Sequence, residues 1–455
     1  MTKTDIVILA AGKGTRMRSQ LPKVLHRLAG KPLLSHVLDA ADGIPGAEKI
    51  VVAGHGAAAV REAYADRAIK LVEQSEQLGT GHAVHCALDQ LRPGSKVVIL
   101  YGDVPLISAA TIDKMLAAVN DNSIALLTIQ LPNPSGYGRI LRDSNGQIEA
   151  IVEQKDASAA QLEIDEVNTG VMALTTELLA DWLPKLDNKN AQGEYYLTDL
   201  IAIARQSGFN VCGIQAPSPS EVEGVNSRQQ LAALERVYQL QQAGKLMDSG
   251  TSLADPARFD LRGTLVAGTD NSIDVNCVFE GDVVLGSNVV IGPNCHIISS
   301  RIGDSVEIKA NTVIEQAVVG DRAVLGPFAR IRPGTELGSD TKVGNFVETK
   351  KAIVGNGSKI NHLSYVGDAE LGEKVNVGAG TITCNYDGVN KHKTEIGDNS
   401  FIGSNSTLVA PLSIGEQGFV AAGSTINGDV PEGNLAVGRG KQRNIAGWKR
   451  PTKNK

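Results

Sequence analysis

The chain is 455 residues long, enough for two or more domains that each bury a core. A net charge of −6 excludes a general binder of nucleic acid or of anionic membranes, and no apolar run approaches the roughly 20 residues of a membrane span. Aromatic residues make up only 4% while glycines number 49, so tight turns and small stacked side chains are expected. The five cysteines (Cys86, Cys212, Cys277, Cys295, Cys384) show no C-x-x-C spacing. They fit reduced thiols in a cytosol rather than a disulfide framework or a zinc site. The apolar run at residues 6–11 is too short for a signal peptide, and no cleavage pattern follows it. The expectation is a soluble, cytoplasmic protein with no membrane insertion and no nucleic-acid partner.

The first element is a short apolar strand at residues 5–10 that runs into a Gly-rich turn. Leu9, Ala10, Ala11, Gly12, Lys13, Gly14, Thr15, Arg16 and Met17 follow one another, and Leu21-Pro22-Lys23 lies just beyond. Such a turn brings bare backbone N–H groups and several cations up to a polyphosphate. Two commoner phosphate loops are excluded. Gly14 follows Lys13, which breaks G-x-x-x-x-G-K-[ST], and Met17 stands where G-x-G-x-x-G needs its third glycine. Further strand-like runs at 49–53, 96–100, 124–130 and 167–173 alternate with amphipathic helical segments at 32–41, 81–91 and 111–119. This alternation predicts a Rossmann-like α/β domain, with a mostly parallel sheet covered on both faces. Ligands of such sheets bind beyond the carboxyl ends of the strands. One strand ends there in Tyr101-Gly102-Asp103. A carboxylate at a strand end facing a phosphate loop suits Mg²⁺, a hard cation that takes oxygen ligands. A turn aspartate is the alternative, since Pro105 and Ser108 also mark a turn. The neighbouring Gly-rich loop favours the metal.

The pattern L-x-x-G-x-G-T-R-M followed by L-P-K resembles the sugar-nucleotide pyrophosphorylases, which join a nucleoside triphosphate to a sugar 1-phosphate. The resemblance continues in order along the chain. Gln74, Gln77, Gly79 and Thr80 resemble the uracil-reading segment of members that use UTP. A carboxamide suits a pyrimidine's donor–acceptor edge, and Gly79 lets backbone approach it. Gly138, Glu153 and Asn168 look like the sugar-binding set, and Asn226 resembles a second metal ligand beside Asp103. The resemblance implies a UTP and UDP-sugar site that also includes Leu9, Ala10, Ala11, Gly12, Tyr101 and Gly102. Arg16 and Lys23 would clamp phosphates as the catalytic cations. The implied reaction is an in-line attack by a sugar 1-phosphate on the α-phosphorus of UTP, with pyrophosphate leaving. That nucleophile is already mostly ionised near neutral pH, since its second pKa is about 6. Alignment and charge neutralisation then replace a strong general base.

Residues 227–247 read as one helix of about 30 Å, with Leu231, Leu234, Val237 and Tyr238 at helical spacing. It sits where the composition changes, which suggests a connecting arm. The expected division is 1–228 for the nucleotide domain, 229–249 for the helical linker and 250–455 for a second domain. From about residue 264, aliphatic–glycine pairs recur at multiples near six. Leu285-Gly286 and Ile291-Gly292, Leu337-Gly338 and Val343-Gly344, and Ile396-Gly397 and Ile402-Gly403 are examples. This is the signature of a hexapeptide β-helix, with aliphatic side chains inside and glycines where the backbone needs positive φ or close approach. The period is lost between Gly378 and Gly397, so a loop is expected to protrude there.

The repeat resembles the left-handed parallel β-helix of hexapeptide acyltransferases, which are usually trimers. His362 is the natural general base for acetyl transfer to an amino sugar, because its pKa suits neutral pH. The resemblance implies an acceptor set for glucosamine 1-phosphate of Arg332, Lys350, Tyr365 and Asn376. It implies an acetyl-CoA set of Ala379, Asn385, Tyr386, Ser404, Ala422 and Arg439. Direct attack on the thioester is expected. Cys384 is the rival nucleophile, but nothing near it in sequence would lower its pKa. The basic tail from Trp448 to Lys455 suits either CoA phosphates or a solvated end. Taken together, both halves resemble the bacterial family that fuses a UDP-N-acetylglucosamine pyrophosphorylase to a glucosamine-1-phosphate N-acetyltransferase. That resemblance implies Mg²⁺, UTP and acetyl-CoA as cofactor and co-substrates, a homotrimer, and supply of peptidoglycan and lipopolysaccharide synthesis. One alternative is a single-activity sugar-1-phosphate nucleotidyltransferase whose β-helix is purely structural. Another is a non-catalytic sugar-nucleotide sensor. His362 argues against the first, and the intact Arg16, Lys23 and Asp103 against the second.

Overall fold

The computed structural model describes residues 3–190 and 192–453. They fall into two compact units, 1–238 and 239–455. Among the described residues no helix is long and apolar enough to cross a membrane.

The first unit is built on one sheet. Its strands run in the spatial order Asn210–Gln215, Ser123–Gln130, Glu166–Thr175, Lys96–Tyr101, Thr4–Ala10, Ala47–Ala53 and Lys70–Glu73. All neighbours are parallel except Glu166–Thr175, which runs antiparallel to both of its partners. The side-chain period of two sorts each strand between two cores. Ile6, Ile8, Val98 and Leu100 pack with the helices Leu33–Asp42 and Ala109–Ala118 on one face. Val7, Leu9, Val97 and Ile99 pack with Thr80–Ala87, Thr176–Trp182 and Leu200–Gln206 on the other. The short edge strand Lys70–Glu73 and the hairpin Arg139–Arg142 with Ile148–Val152 carry too little periodicity to be read from sequence.

A helix runs over Arg228–Asp248. Leu234 packs with Met17, Leu28, Leu33 and Val225 in the first unit. Ala243 and Leu246 belong to the core of the second, where the Gln239 carboxamide also bonds both backbone groups of Leu261.

The second unit is a parallel β-helix. One interior column runs Ile273, Ile291, Ile308, Leu325, Val343, Ile360, Val377, Ile402 and Val420, each residue in register with the next. A second runs Leu285, Ile302, Val319, Leu337, Val354, Leu371, Ile396 and Ile414. All of these side chains are buried, and each contributes about 1.5–3 kcal/mol of apolar burial. The two roles expected of glycine separate here. Left-handed corners are held mostly by other residues, including Asn288, Asn294, Asn311, Asp340 and Asn399. Asparagine and aspartate tolerate that conformation best among residues with side chains. The glycines of the repeat serve close approach instead: a Cβ on Gly355 would lie 2.4 Å from the Gly372 carbonyl of the next coil. The basic tail is exposed and carries no regular structure through Lys453, and Asn454 and Lys455 lie outside the described residues.

Gly355→Ala is therefore expected to destabilise the β-helix by roughly 1–3 kcal/mol through overpacking. Gly428→Ala is expected to be near neutral, because its Cβ would meet nothing within 4 Å. Urea unfolding of the two variants beside the parent chain checks this.

Candidate active sites

In the first unit the parallel pairing of Leu9 with Tyr101 brings the Gly-rich turn beside the strand that ends at Asp103. Gly102 N–H donates to the Leu9 carbonyl at 2.9 Å and fixes that junction. Lys23 Nζ then sits between two oxygens. It makes a close ion pair with Asp103 Oδ2 and donates to Asn226 Oδ1 at 3.0 Å. Asn226 is far away in sequence and is delivered by the backbone. Val225 N–H donates to the Asp103 carbonyl at 2.9 Å, and Asn226 N–H donates to Gln230 Oε1 at 2.9 Å. A carboxylate and a carboxamide oxygen converging on one cation are the donor types that Mg²⁺ takes. The Lys23 ammonium stands in for such a cation, so the residues fit the metal. Among the described residues no cluster of three or more His, Cys, Asp or Glu could hold a metal. The remaining ligands would be phosphate oxygens and water.

Two cavities open at the carboxyl ends of the strands. The first, about 390 Å³, is lined by Leu9, Ala10, Ala11, Gly12, Lys13, Lys23, Gln74, Gln77, Gly79, Thr80, Tyr101 and Asp103. The second, about 440 Å³, is lined by Gly138, Glu153 and Asn168. Thr80, Tyr101 and Glu194 belong to both, so the cavities adjoin. Gly79 has φ of +110°, and a Cβ there would lie 2.6 Å from the Tyr195 carbonyl, so only glycine fits. Burial pushes the Glu153 carboxyl up, and Asp156 and Asp199 push it further. Burial likewise raises the Tyr101 phenol, with Asp103 and Glu153 adding to it. Arg16 stands apart: it is exposed in the turn Thr15–Met17 and lines neither cavity. Glu194, Tyr196 and Thr198 line the second cavity and were missed from sequence, since they sit in a loop and the short 3-10 turn Leu197–Asp199 that follows it, neither with a motif.

In the second unit His362 lies directly over Asn345 in the ladder. His362 Nδ1 bonds Asn345 Oδ1 at 2.9 Å. With the Asn345 oxygen turned to the ring, this bond needs the imidazole proton on Nδ1 and leaves Nε2 its lone pair. A group of cations lies on another sheet of the same coil. Arg330 and Ile331 pair with Glu348 and Thr349, which sets Arg332 level with Lys350 on the next coil. Contact with the Lys391 ammonium, then its charge, pushes Lys350 below the ordinary lysine range, and Arg332 adds to the effect. Arg332 also pairs with Glu348 at 2.6 Å. The Tyr365 ring lies over Gly367. Asn376 is in register with Lys359 rather than with His362, so this chain does not bring it directly to the base.

Above His362 a hydrogen-bonded column climbs the coils. Gly380 N–H donates to the His362 carbonyl, Asn405 N–H to Ala379, Gly423 N–H to Ser404, and Arg439 Nη1 to Ala422 at 2.7 Å. Ala379, Ser404 and Ala422 thus form one row of small residues with Arg439 at its far end. The loop interrupting the repeat carries Asn385 and Tyr386. Asn385 is buried and bonded to Asp368 Oδ2, while Tyr386 is exposed. Asp387 accepts from Val389 N–H, Asn390 N–H and His392, which closes the loop and holds the Asp387 carboxyl well below the usual range. Cys384 pairs in the ladder with Val409 and is not hydrogen-bonded to His362. Asn345, Asp368 and Lys391 were missed from sequence, because only the coil register and the loop's return reveal them.

Comparison with known proteins gives the same two halves. The MobA-like NTP transferase domain family matches residues 6–162. The GMPPB C-terminal domain matches 261–348, and the hexapeptide repeat of succinyl-transferase matches 393–427. The chain is 61% identical over 454 residues to the Bifunctional protein GlmU of Marinobacter nauticus, covering 100% of both chains. It is 61% identical over 449 residues to that of Cellvibrio japonicus, covering 99% of each. It is 55% identical over 453 residues to that of Idiomarina loihiensis, covering 100% of this chain and 99% of the other.

Nitrogen-15 NMR of the imidazole should find His362 protonated at Nδ1 in the parent chain. Asn345→Leu should abolish that preference for one tautomer. An unchanged tautomer would remove Asn345 from the site.

Proposed function

The chain belongs to the bifunctional GlmU family, and on that premise we infer how its two sites carry out two successive transfers on one sugar phosphate. It is a bifunctional enzyme. The acetyltransferase half acetylates glucosamine 1-phosphate, and the pyrophosphorylase half couples the product to UTP, giving UDP-N-acetylglucosamine and pyrophosphate. The observation that carries the residue assignments is that each unit holds its own set of groups, matched to one of the two transfers. A purely structural β-helix has no use for a histidine oriented by Asn345 at the foot of a row of small residues, in a unit that also gathers a cluster of cations.

In the pyrophosphorylase half the backbone of the Gly-rich turn and Lys13 hold the triphosphate, and Arg16, which lies outside the cavity in this structure, turns in from the same segment to meet it. Gln74, Gln77 and Gly79 read the uracil, and Gly138, Glu153 and Asn168 hold the sugar. Asp103 and Asn226 would hold Mg²⁺, which would neutralise charge on the phosphates. Lys23, which lines the same cavity, meets a phosphate oxygen. The sugar phosphate attacks without a base on the protein, since its oxygen is already ionised. The chain supplies alignment and positive charge.

In the acetyltransferase half Arg332 and Lys350 hold the sugar phosphate, with Tyr365 and Asn376 on the sugar. Bound phosphate relieves the repulsion between Lys350 and Lys391. His362 Nε2 takes the proton from the amino nitrogen, which attacks the thioester carbonyl, and CoA leaves as the thiolate. Ala379, Asn385, Tyr386, Ser404, Ala422 and Arg439 hold acetyl-CoA. We assign 1–228 to the pyrophosphorylase, 229–249 to the helical arm and 250–455 to the acetyltransferase. The working form is a cytoplasmic homotrimer that supplies peptidoglycan and lipopolysaccharide synthesis.

The two assignments are separable. Asp103→Asn should cut uridylyl transfer by roughly 10²-fold or more and leave acetyl transfer intact. His362→Ala should abolish acetyl transfer and leave uridylyl transfer from added N-acetylglucosamine 1-phosphate intact, while Cys384→Ala keeps both. Paired assays on the full-length variants check this, and a near-normal rate for Asp103→Asn at saturating Mg²⁺ contradicts the metal assignment.

A further inference from the structure

The nucleotide cavity contains a carboxamide with one anchor on the cavity wall, Gly79, and a second behind it, His82. Gln74 is buried, and its Nε2 donates to the Gly79 carbonyl at 3.1 Å and meets His82 Nδ1, also at 3.1 Å. The Gly79 carbonyl can only accept, so Nε2 rather than Oε1 faces it. His82 Nδ1 must then accept as well, which leaves the imidazole proton on Nε2. That nitrogen points to Cys86 Sγ at 3.8 Å, and burial keeps the Cys86 thiol protonated. Both hydrogens of the Gln74 carboxamide are therefore committed to protein. Among the described residues its Oε1 has no protein donor, and the residue lines the cavity. The cavity wall thus offers a pure acceptor.

We propose that His82 is a positioning residue that sets base specificity: by accepting from Gln74 Nε2, it locks Oε1 toward the base and selects uracil over cytosine. Uracil N3 carries a hydrogen and donates to such an oxygen. Cytosine N3 carries a lone pair and is repelled by it. The Gly79 carbonyl already disfavours an oxygen facing it, at the cost of one unmade hydrogen bond. The lone pair on His82 Nδ1 adds a second such clash, so the flipped carboxamide that would donate to cytosine N3 meets two acceptors instead of one. His82 lies on the helix Thr80–Ala87, eight residues beyond Gln74, and no phosphate or sugar contact is needed for this role.

The inference rests on the uridylyl reading of this cavity, and its test separates the two. Initial rates of the full-length enzyme are measured with UTP and with CTP for His82→Leu, His82→Asn and Gln74→Ala, with acetyl transfer as the control for folding. His82→Leu should raise KM for UTP by about three- to tenfold, the worth of one neutral hydrogen bond, with kcat little changed. It should also narrow the preference for UTP over CTP. His82→Asn, which returns an oxygen acceptor near the Nδ1 position, should restore most of both. If His82→Leu leaves the UTP-to-CTP ratio of kcat/KM unchanged, the positioning role is wrong, whatever happens to the rates. If Asn fares no better than Leu, it is wrong as well. If Gln74→Ala itself leaves KM for UTP and the base preference untouched, the uridine reading of the cavity falls instead.

Discussion

Both sites depend on parallel strands held in register. Such strands repeat the same backbone spacing from one to the next, so a residue's position on one strand fixes what stands beside it on its neighbour. In the first unit this sets the turn after Ala10 next to the end of the Lys96–Tyr101 strand, and the Gly102–Leu9 hydrogen bond pins them together. In the second it stacks His362 on Asn345 and lines up Ala379, Ser404 and Ala422 above. A slip of one residue would turn every interior aliphatic outward, so the buried columns that stabilise the β-helix also hold the proposed catalytic residues in place.

The second shared feature is positive charge facing a place for phosphate. Lys23 is held by Asp103 and Asn226, while Lys350 and Lys391 face each other with Arg332 nearby. Like charges brought together by a fold cost free energy until an anion arrives. Chains that bind phosphorylated sugars gain by keeping such charges preorganised, since the binding then needs little rearrangement. Acidic groups mark the other kind of contact. Glu153 is held partly dry, with its carboxyl raised, beside the cavity suited to hydroxyl groups.

Much of this was legible in the sequence where function compresses into a short segment. The turn from Gly12 to Arg16, the Tyr101-Gly102-Asp103 strand end and the aliphatic–glycine repeat each lie within a few residues of one another. What escaped came from contacts between distant segments. Glu194 and Tyr196 reach the second cavity from a loop with no pattern, and Asn345 is brought to His362 by coil stacking. Lys391 meets Lys350 because the loop folds back, with Tyr386 bridging to Lys391. The repeat's glycines were expected to serve positive φ or close approach; at Gly355 the reason is close backbone approach, and many left-handed corners are held by residues with side chains, asparagine and aspartate most often.

The central claim is that one chain performs both transfers in order. Purified protein would be incubated with glucosamine 1-phosphate, acetyl-CoA, UTP and Mg²⁺, and the products identified by mass spectrometry with each component omitted in turn. The account predicts UDP-N-acetylglucosamine from the full mixture, N-acetylglucosamine 1-phosphate when UTP is left out, and neither acetylated product without acetyl-CoA. Uridylyl transfer to added N-acetylglucosamine 1-phosphate with no acetylation under any condition would contradict it and leave the β-helix a structural module.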